Sequence, residues 1–317
     1  MKSIPKIYAL GHRYTQDIFD GEVWVQEKID GSQFSFSVES IPGGTQLHCF
    51  SKSTEINLAA PGMFEAGVNT VRAMWHAGQI PEGWTFQCEY LAKPKHNVLT
   101  YACIPHGHLV LFDVRDPSGK YCPEEVDAWA KVFDITPVPT YYRGNGIVFF
   151  KDTVAELQHC PVFDLVEHDS ILGGTKIEGI VIKNYGKQHA ESQSGTAPMT
   201  AKIVSDRFKE KHLVGPLNRK AQPGELIQSI VSRYRTEARW LKAIQHLKES
   251  GKLVNGPEDI GPLLAELGTD LLAEEQEEIK QTLFDDHWKQ IVRGVSDGFS
   301  QYYKKLLAGE NSQINKQ

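Results

Sequence analysis

The chain has 317 residues, a formal net charge of −6 and 40% apolar residues, which are ordinary values for a globular protein with one large and one smaller domain. No apolar run reaches the roughly 18 residues that a membrane span needs. The amino terminus lacks the basic start and apolar stretch of a signal peptide, so we expect a cytoplasmic protein. The five cysteines are widely spaced and form no CxxC pair, which argues against a disulfide framework and a zinc knuckle.

The charges are unevenly distributed along the chain. Twelve basic residues stand against five acidic ones between Lys202 and Lys252, whereas ten acidic residues stand against Lys280 alone between Glu258 and Asp286. The basic zone favours a polyanionic partner. Two solvated helical faces are the alternative.

The first two hundred residues have the pattern of strands separated by turns. Alternating, β-branched and aromatic residues predict strands at 22–26, 34–38, 46–50, 84–90, 108–114, 147–150 and 179–184. Helices are predicted at 61–76 and 123–133. There is no βαβ rhythm, so the pattern predicts an α+β fold with largely antiparallel sheets.

The remainder of the chain has a helical pattern. Apolar residues recur every three or four positions from 227 to 244, which predicts one helix, and a short helix should follow Pro257. A longer helical pattern runs from 284 to 306, where Gly294 and Gly298 weaken it. We therefore expect two domains, an α+β domain at 1–215 and a small all-helical domain at 216–317.

A KxDG sequence begins at Lys28, between two predicted strands. A lysine at such a position can point into a cleft, while Gly31 lets the chain turn tightly. Taken alone, the tetrapeptide is equally typical of a surface lysine beside a β-turn.

Five further segments follow in order, each with a chemically suitable residue. They are Phe50-Ser51-Lys52-Ser53, the strand that reaches Glu89, Leu111-Phe112-Asp113-Val114, the segment from Glu178 to Lys183, and Ala201-Lys202-Ile203-Val204. In order and spacing, from Trp24 to about Glu210, these segments resemble the six motifs of the covalent nucleotidyltransferase superfamily. That superfamily contains ATP-dependent polynucleotide ligases and messenger-RNA capping enzymes.

Two details resemble the RNA ligase 2-type branch, which includes phage and trypanosome RNA-editing ligases. Gln33 stands where DNA ligases and capping enzymes usually carry arginine, and a helical tail replaces the oligonucleotide-binding β-barrel of those enzymes. The resemblance implies a nucleotidyltransferase (adenylation) domain of antiparallel sheets flanked by helices. The all-helical domain is expected to bind RNA.

The implied function is ATP-dependent RNA ligation, of use in RNA repair. RNA 3′-hydroxyl and 5′-phosphate ends, as in a nicked duplex, would be joined through a lysyl-AMP on Lys28 and an adenylated RNA 5′ end. ATP and Mg²⁺ or Mn²⁺ would be required. A DNA ligase or a GTP-dependent capping guanylyltransferase of the same superfamily is the alternative.

The chemistry sets requirements for the lysines. An amine attacks phosphorus only when it is neutral, so the pKa of Lys28 has to fall through burial or neighbouring positive charge. Lys183, Lys202 and a bound metal ion would supply that charge, and would also neutralise the α-phosphate as pyrophosphate leaves.

The resemblance assigns the remaining contacts to the nucleotide. Phe112 and Val181 would enclose the adenine ring, although Phe112 taken alone reads as a core aromatic. Glu89 would hold the ribose hydroxyls, and Glu178 would organise the divalent metal ion. Residues that read the adenine edge would be Glu27 and Ile29.

Two positions depart from the family pattern. Thr200 stands where the last motif commonly has a first lysine, and Lys52, expected to bind the nucleotide, replaces a usual arginine. These departures bear on how the phosphates are held.

Several residues are candidates for RNA contact. Gln33 occupies a position at which the branch often has an asparagine needed for sealing. Helical spacing would place Arg235, Arg239 and Lys242 side by side, where they could follow successive phosphates. An exposed solvated face is the alternative for these three cations.

Overall fold

The computed structural model describes residues 7–52, 54–148, 168–189, 197–204 and 223–307. The chain divides into two compact units. The first consists of Met1–Glu210 with Glu237–Leu263, and the second of Lys211–Thr236 with Leu264–Gln317. The boundary expected at residue 215 lies outside the described residues, and the segment from residue 237 to 263, which we expected in the helical domain, belongs to the first unit.

Eleven strands are described, all in the first unit. They are β1 (Tyr8–Ala9), β2 (Glu22–Lys28), β3 (Ser32–Ile41), β4 (Gly44–Ser51), β5 (Thr54–Glu55), β6 (Thr85–Tyr90), β7 (Leu109–Arg115), β8 (Thr136–Pro137), β9 (Thr140–Asn145), β10 (Gly179–Gln188) and β11 (Pro198–Val204). One sheet has the order β1-β11-β10-β2-β9 and the other β5-β4-β3-β6-β7-β8. Only the β1–β11 and β7–β8 pairs are parallel, which confirms the α+β, largely antiparallel fold.

The described α-helices number six. They are α1 (Glu65–His76), α2 (Val126–Phe133), α3 (Pro223–Tyr234), α4 (Glu237–Glu249), α5 (Ile260–Ser296) and α6 (Phe299–Leu307). Single 3₁₀ turns at Gly62–Phe64 and Pro123–Glu125 precede α1 and α2, so both helices predicted in the first two hundred residues are confirmed.

Side chains alternate along the strands, so that apolar residues point into the core and polar residues point to the opposite face of the sheet. On β3, Phe34 and Phe36 point into a core shared with α1 and α2, whereas Ser35 and Ser37 point the other way. The first sheet has its own core around Val23, Val25 and Ile180. A third cluster contains Ile29, Leu91, Leu99, Tyr101, Val110, Val138 and Leu172, with Phe112 packed against it.

Two expectations about local structure were wrong. Ile147 and Val148 are helical rather than extended, the rest of that predicted strand lies outside the described residues, and β9 was missed. The helix predicted over 227–244 is two helices, α3 and α4, because the helical pattern breaks at Arg235 and Thr236. Thr236 directly precedes α4, a position at which threonine is a favoured cap.

The second unit is helical and contains α3, most of α5 and α6. Arg233 on α3 forms an ion pair with Glu278 on α5, with 2.8 Å between Nη1 and Oε1. The break between α5 and α6 falls at Gly298, which has a φ of +76°. The long helical pattern is therefore interrupted at one of the two glycines expected to weaken it.

Candidate active site

Lys28 is the last residue of β2, and cross-strand register fixes its neighbours. Lys28 pairs with Gly179 on β10, and Lys202 on β11 pairs with Val181 of the same β10 strand. Because side chains alternate along strands, Lys28, Val181 and Lys202 project from one face of the sheet. A Cβ at Gly179 would lie 2.1 Å from the Ile203 carbonyl oxygen, so glycine is needed where β11 approaches.

The turn after Lys28 is held by backbone contacts. The Asp30 carboxylate accepts hydrogen bonds from the amides of Val98 (2.8 Å) and Leu99 (2.7 Å). A Cβ on Gly31 would lie 2.7 Å from the Tyr90 carbonyl oxygen, so only glycine allows β6 to pass this closely. The KxDG sequence is thus a tight link between the two sheets.

A cavity of about 590 Å³ opens around this turn, a size suited to a small-molecule ligand. It brings together seven of the residues singled out in the sequence, which are Lys28, Gln33, Lys52, Glu89, Glu178, Lys202 and Lys242. Gln33 and Glu89 are direct cross-strand partners on β3 and β6, so they share one face of the second sheet. Residues separated by up to 214 positions therefore meet in one cavity.

Lys28 Nζ lies 2.6 Å from Glu178 Oε2. Burial lowers the pKa of the Lys28 ammonium, but the carboxylates of Glu178, Asp30 and Glu89 outweigh burial and hold that pKa above its ordinary value. The shift is opposite to the one that nucleophilic attack requires. In this arrangement the Glu178 carboxylate favours the ammonium form of Lys28.

The two glutamates of the cavity are also perturbed. Burial raises the pKa of Glu89 to about 8, with Lys28 opposing the rise. Burial likewise raises the pKa of Glu178, and Lys28 again opposes it. Carboxylates with perturbed pKa values in a cleft are typical of functional sites.

Lys183, expected near the phosphates, is placed differently. Its Nζ lies 2.9 Å from Asp113 Oδ2 and donates to the Phe112 carbonyl oxygen, which ties β10 to β7. The ammonium also lies 4.8 Å from the centroid of the Phe112 ring and covers one of its faces. Burial lowers the pKa of Lys183, with Asp113 opposing. In this arrangement Lys183 is an ion-pair partner of Asp113 and not a lining residue of the cavity.

Glu27 and Ile29 are the chain neighbours of Lys28, but their side chains do not point into the cavity that Lys28 lines. The Glu27 carboxylate accepts from the Ser170 hydroxyl, the Ile171 amide and the Tyr141 hydroxyl. Burial raises the pKa of Glu27, and these hydrogen bonds oppose the rise. The Ile29 side chain is in the core cluster that packs against Phe112.

The three cations expected to form an RNA-contacting row are not on one helix. Arg235 is exposed and lies in the break between α3 and α4, whereas Lys242 lines the cavity. Arg239 on α4 is only 3% exposed, so its side chain is not presented to solvent. The row was expected because the spacing of the apolar residues continues across the break, although Thr236 is a helix-cap signal.

A sequence model of the RNA ligase family matches residues 21–204, which is more than half of the chain and includes every strand that lines the cavity. The chain belongs to the RNA ligase family. No curated protein matches this chain.

Several solved structures of a Naegleria gruberi RNA ligase are similar to it. A mutant with ATP and Mn has 16% identity, a TM-score of 0.44 and coverage of 67% of this chain. The ligase with PPi has 16% identity, a TM-score of 0.45 and coverage of 66% of this chain. In both cases the aligned region spans only 58% of the Naegleria gruberi chain.

The sequence analysis missed Gln245 and Glu249, which line the cavity. Hydrogen bonds join them to Ser32 and His96. A signal existed for the two missed residues, since Gln245 and Glu249 follow Leu241 at four-residue intervals and so lie on one face of α4. Nothing in the sequence indicated that this face meets the Lys28 turn.

Two features are absent from the described residues. Within that part of the chain, no helix is both long and apolar enough to cross a bilayer. Nor do three or more His, Cys, Asp or Glu side chains there form a group that could hold a metal ion. A metal ion here would need a nucleotide or water to complete its ligands.

Proposed function

We propose that this protein is an ATP-dependent RNA ligase that joins 3′-hydroxyl and 5′-phosphate ends through a lysyl-AMP on Lys28. The observation that carries the proposal is the set of groups in one cavity. A lysine held at a strand end lies against Glu178, with Lys52 and Lys202 lining the same space. This combination suits phosphoryl transfer, in which catalysis is chiefly positioning and charge stabilisation.

Three transfers account for the reaction. The neutral Lys28 amine attacks the α-phosphorus of ATP, so that a P–N bond forms and the bond to pyrophosphate breaks. An oxygen of the RNA 5′-phosphate then attacks the same phosphorus, which releases Lys28 and leaves AMP joined to the RNA end. Finally, the RNA 3′-hydroxyl attacks the 5′-phosphate, loses its proton and expels AMP.

Glu178 controls the state of Lys28 in the first transfer. Its carboxylate stabilises the ammonium form, so the lysine is kept protonated until that carboxylate finds another partner. A divalent ion held by Glu178 together with the phosphates would supply that partner and positive charge near the α-phosphate. One protein carboxylate with substrate phosphates is a usual ligand set for Mg²⁺, and the cavity fits it.

Lys202 and Lys52 are proposed to neutralise phosphate oxygens, and Glu89 to hold the ribose. A carboxyl with a pKa near 8 can donate or accept a hydrogen bond at neutral pH, which suits contact with a sugar hydroxyl. Adenine is proposed to lie between Val181 and Phe112, whose ring lies against the Lys183 ammonium. Lys183 then acts by placing Phe112.

RNA contact is proposed for Gln33 and Lys242 in the cavity and for the exposed Arg235. A nicked duplex is the proposed form of the substrate. Gln33 is half-buried and lines the cavity, and its buried Nε2 has no hydrogen-bond acceptor among the described residues, so a phosphate oxygen is proposed as that acceptor. Arg239 is withdrawn from this set because it is buried.

The test is nucleotide-dependent labelling followed by sealing. The protein should become labelled by ATP and not by GTP or NAD, and should seal a nick whose ends are RNA. A guanylyltransferase would be labelled by GTP, and a DNA ligase would seal all-DNA nicks equally well. Either result would overturn the proposal.

A further inference from the structure

Helix α4 forms one wall of the active-site cavity, although it lies beyond the segment that matches the RNA ligase family. It belongs to the same compact unit as the two sheets. Side chains from four successive turns line the cavity, namely Glu237, Ala238, Leu241, Lys242, Gln245, His246 and Glu249. The last of these turns is joined directly to the segment that follows Lys28.

Glu249 is held by a directional set of hydrogen bonds. The Ala92 amide donates to His96 Nδ1, so the ring proton is on Nε2, which donates to Ser32 Oγ at 2.9 Å. The Ser32 hydroxyl in turn donates to Glu249 Oε1 at 2.7 Å. Burial lowers the pKa of His96 to about 4, so the ring is neutral and this direction holds at neutral pH.

Gln245 completes the support of the same oxygen. Its Nε2 donates to Glu249 Oε1 at 2.8 Å and to the Gly31 carbonyl oxygen at 3.0 Å. Glu249 Oε1 therefore has two donors and is fixed relative to the Lys28 turn. The side chain of Glu249 is only 4% exposed, so these hydrogen bonds are shielded from water.

The other oxygen of Glu249 faces Lys52. Oε2 is buried, has no hydrogen-bond donor among the described residues and lies 3.6 Å from Lys52 Nζ. Lys52 itself has a φ of +50°, a left-handed conformation that is unusual for a residue other than glycine. The left-handed backbone at Lys52 and the buried Glu249 carboxylate therefore both direct the Lys52 side chain toward the cavity.

We propose that Glu249 is a positioning residue that fixes Lys52 to meet a phosphate of the bound substrate. The proposal rests on the proposed ligase function for its substrate. Lysine has a long, mobile side chain, and at 47% exposure Lys52 has little packing to restrain it. A fixed carboxylate beside Nζ sets the position of the ammonium before the substrate arrives, as preorganisation of phosphoryl transfer requires.

The first test separates charge from hydrogen bonding. Glu249→Gln keeps an acceptor for Ser32 and Gln245 but removes the charge that faces Lys52. We expect kcat for AMP transfer to the protein to fall about tenfold or more, with KM for ATP changed less than about threefold. Glu249→Asp should recover part of the rate. Glu258→Gln, an exposed glutamate in the same unit, should behave as wild type.

A double-mutant cycle shows whether Glu249 acts through Lys52. In the Lys52→Ala background, Glu249→Gln should change the rate less than about twofold, because the proposed action through Lys52 is already removed. A full tenfold loss in that background would overturn the proposal, and so would an unchanged rate in the single variant. A faster Glu249→Gln variant would also overturn it, because Glu249 would then be an anion that competes with substrate.

A measurement without turnover keeps the outcome independent of the ligase assignment. ¹³C relaxation of the Lys52 ε-methylene, identified by its loss in Lys52→Arg, should show greater mobility in Glu249→Gln than in wild type or Glu258→Gln. Unchanged mobility would overturn the positioning role even in an active ligase. Increased mobility in a protein that ATP does not label would support the positioning of Lys52 and reject the ligase function.

Discussion

The two sides of the active-site cavity hold their functional groups in different ways. On the strand side, Lys28 and Lys202 are placed by backbone pairing of β2, β10 and β11. On the helix side, Gln245 and Glu249 are placed by side-chain hydrogen bonds to Ser32 and Gly31. The pairing of the strands does not depend on any one of these side chains. A network of side-chain hydrogen bonds, in contrast, loses several contacts when one side chain is removed. Substitutions on the strand side should therefore remove one chemical function, and those on the helix side should disturb several positions slightly.

Glu178→Ala should give the largest effect after loss of Lys28 itself. We expect adenylate formation to fall about 10²- to 10³-fold, since a lost charged contact in a dry site has that scale. The melting temperature should change little, because β10 still pairs with β2. Single-turnover labelling with ATP across metal concentrations measures this, with exposed Glu258→Ala as the control. A loss that disappears at saturating Mg²⁺ would mean that another group can serve the metal.

Glu178→Gln tests whether the Glu178 carboxylate controls the protonation of Lys28. Removing the carboxylate that raises the pKa of Lys28 should lower that pKa, while burial still favours the neutral amine. The pH profile of Lys28 acylation by a small reagent, followed by peptide mass spectrometry, should shift to lower pH. A profile that stays in place would show that Glu178 does not control the lysine.

Lys202→Ala should slow adenylate formation by about 10²-fold, as expected for loss of a phosphate contact. Lys202→Arg should recover part of the rate, because arginine restores the positive charge but as a planar guanidinium group. Thr200, which lies two residues before Lys202 on β11 and pairs with Lys183, offers a matched position where substitution by alanine should have little effect. Equal losses at Thr200 and Lys202 would indicate damage to β11 rather than a lost phosphate contact.

Gln245→Ala should have a smaller effect, about threefold on kcat. The Gly31 carbonyl oxygen also accepts from Asn97 Nδ2 at 2.7 Å, so one donor remains. Asn97→Ala should be similarly mild, and the double variant should lose more than the product of the two, because the carbonyl is then left without a donor. Strictly multiplicative losses would show that the two donors do not share a role.

The last of these predictions concerns stability rather than rate. The pKa of Glu89 rises from 4.5 to about 8 on folding, so the folded state binds the proton more tightly between those values. Wild-type stability should therefore fall, relative to Glu89→Gln, as pH rises through that window. Melting temperatures from about pH 5 to pH 8 measure the difference. A wild-type melting temperature that rises relative to that of Glu89→Gln between pH 5 and pH 8 would contradict the raised pKa.

The residues of the strand side could be singled out because they follow the order and spacing of the family motifs, from the KxDG turn at Lys28 to Lys202. Alternation predicted β2 and β6, whereas β11, which carries Lys202, was not predicted as a strand. The places where prediction failed depend on distant partners. Lys183 was expected at the phosphates, but it pairs with Asp113, 70 residues away. Likewise, Glu249 meets Ser32 across 217 positions, and no periodicity in α4 reveals that contact.

The central claim is that Lys28 carries the AMP, and peptide mapping after incubation with ATP and Mg²⁺ tests it most directly. The account predicts one AMP per chain, on the peptide that contains Lys28, and no adduct in Lys28→Ala, a variant that should still seal RNA supplied with a 5′-adenylate. An AMP adduct on another residue, or undiminished labelling of Lys28→Ala, would contradict it.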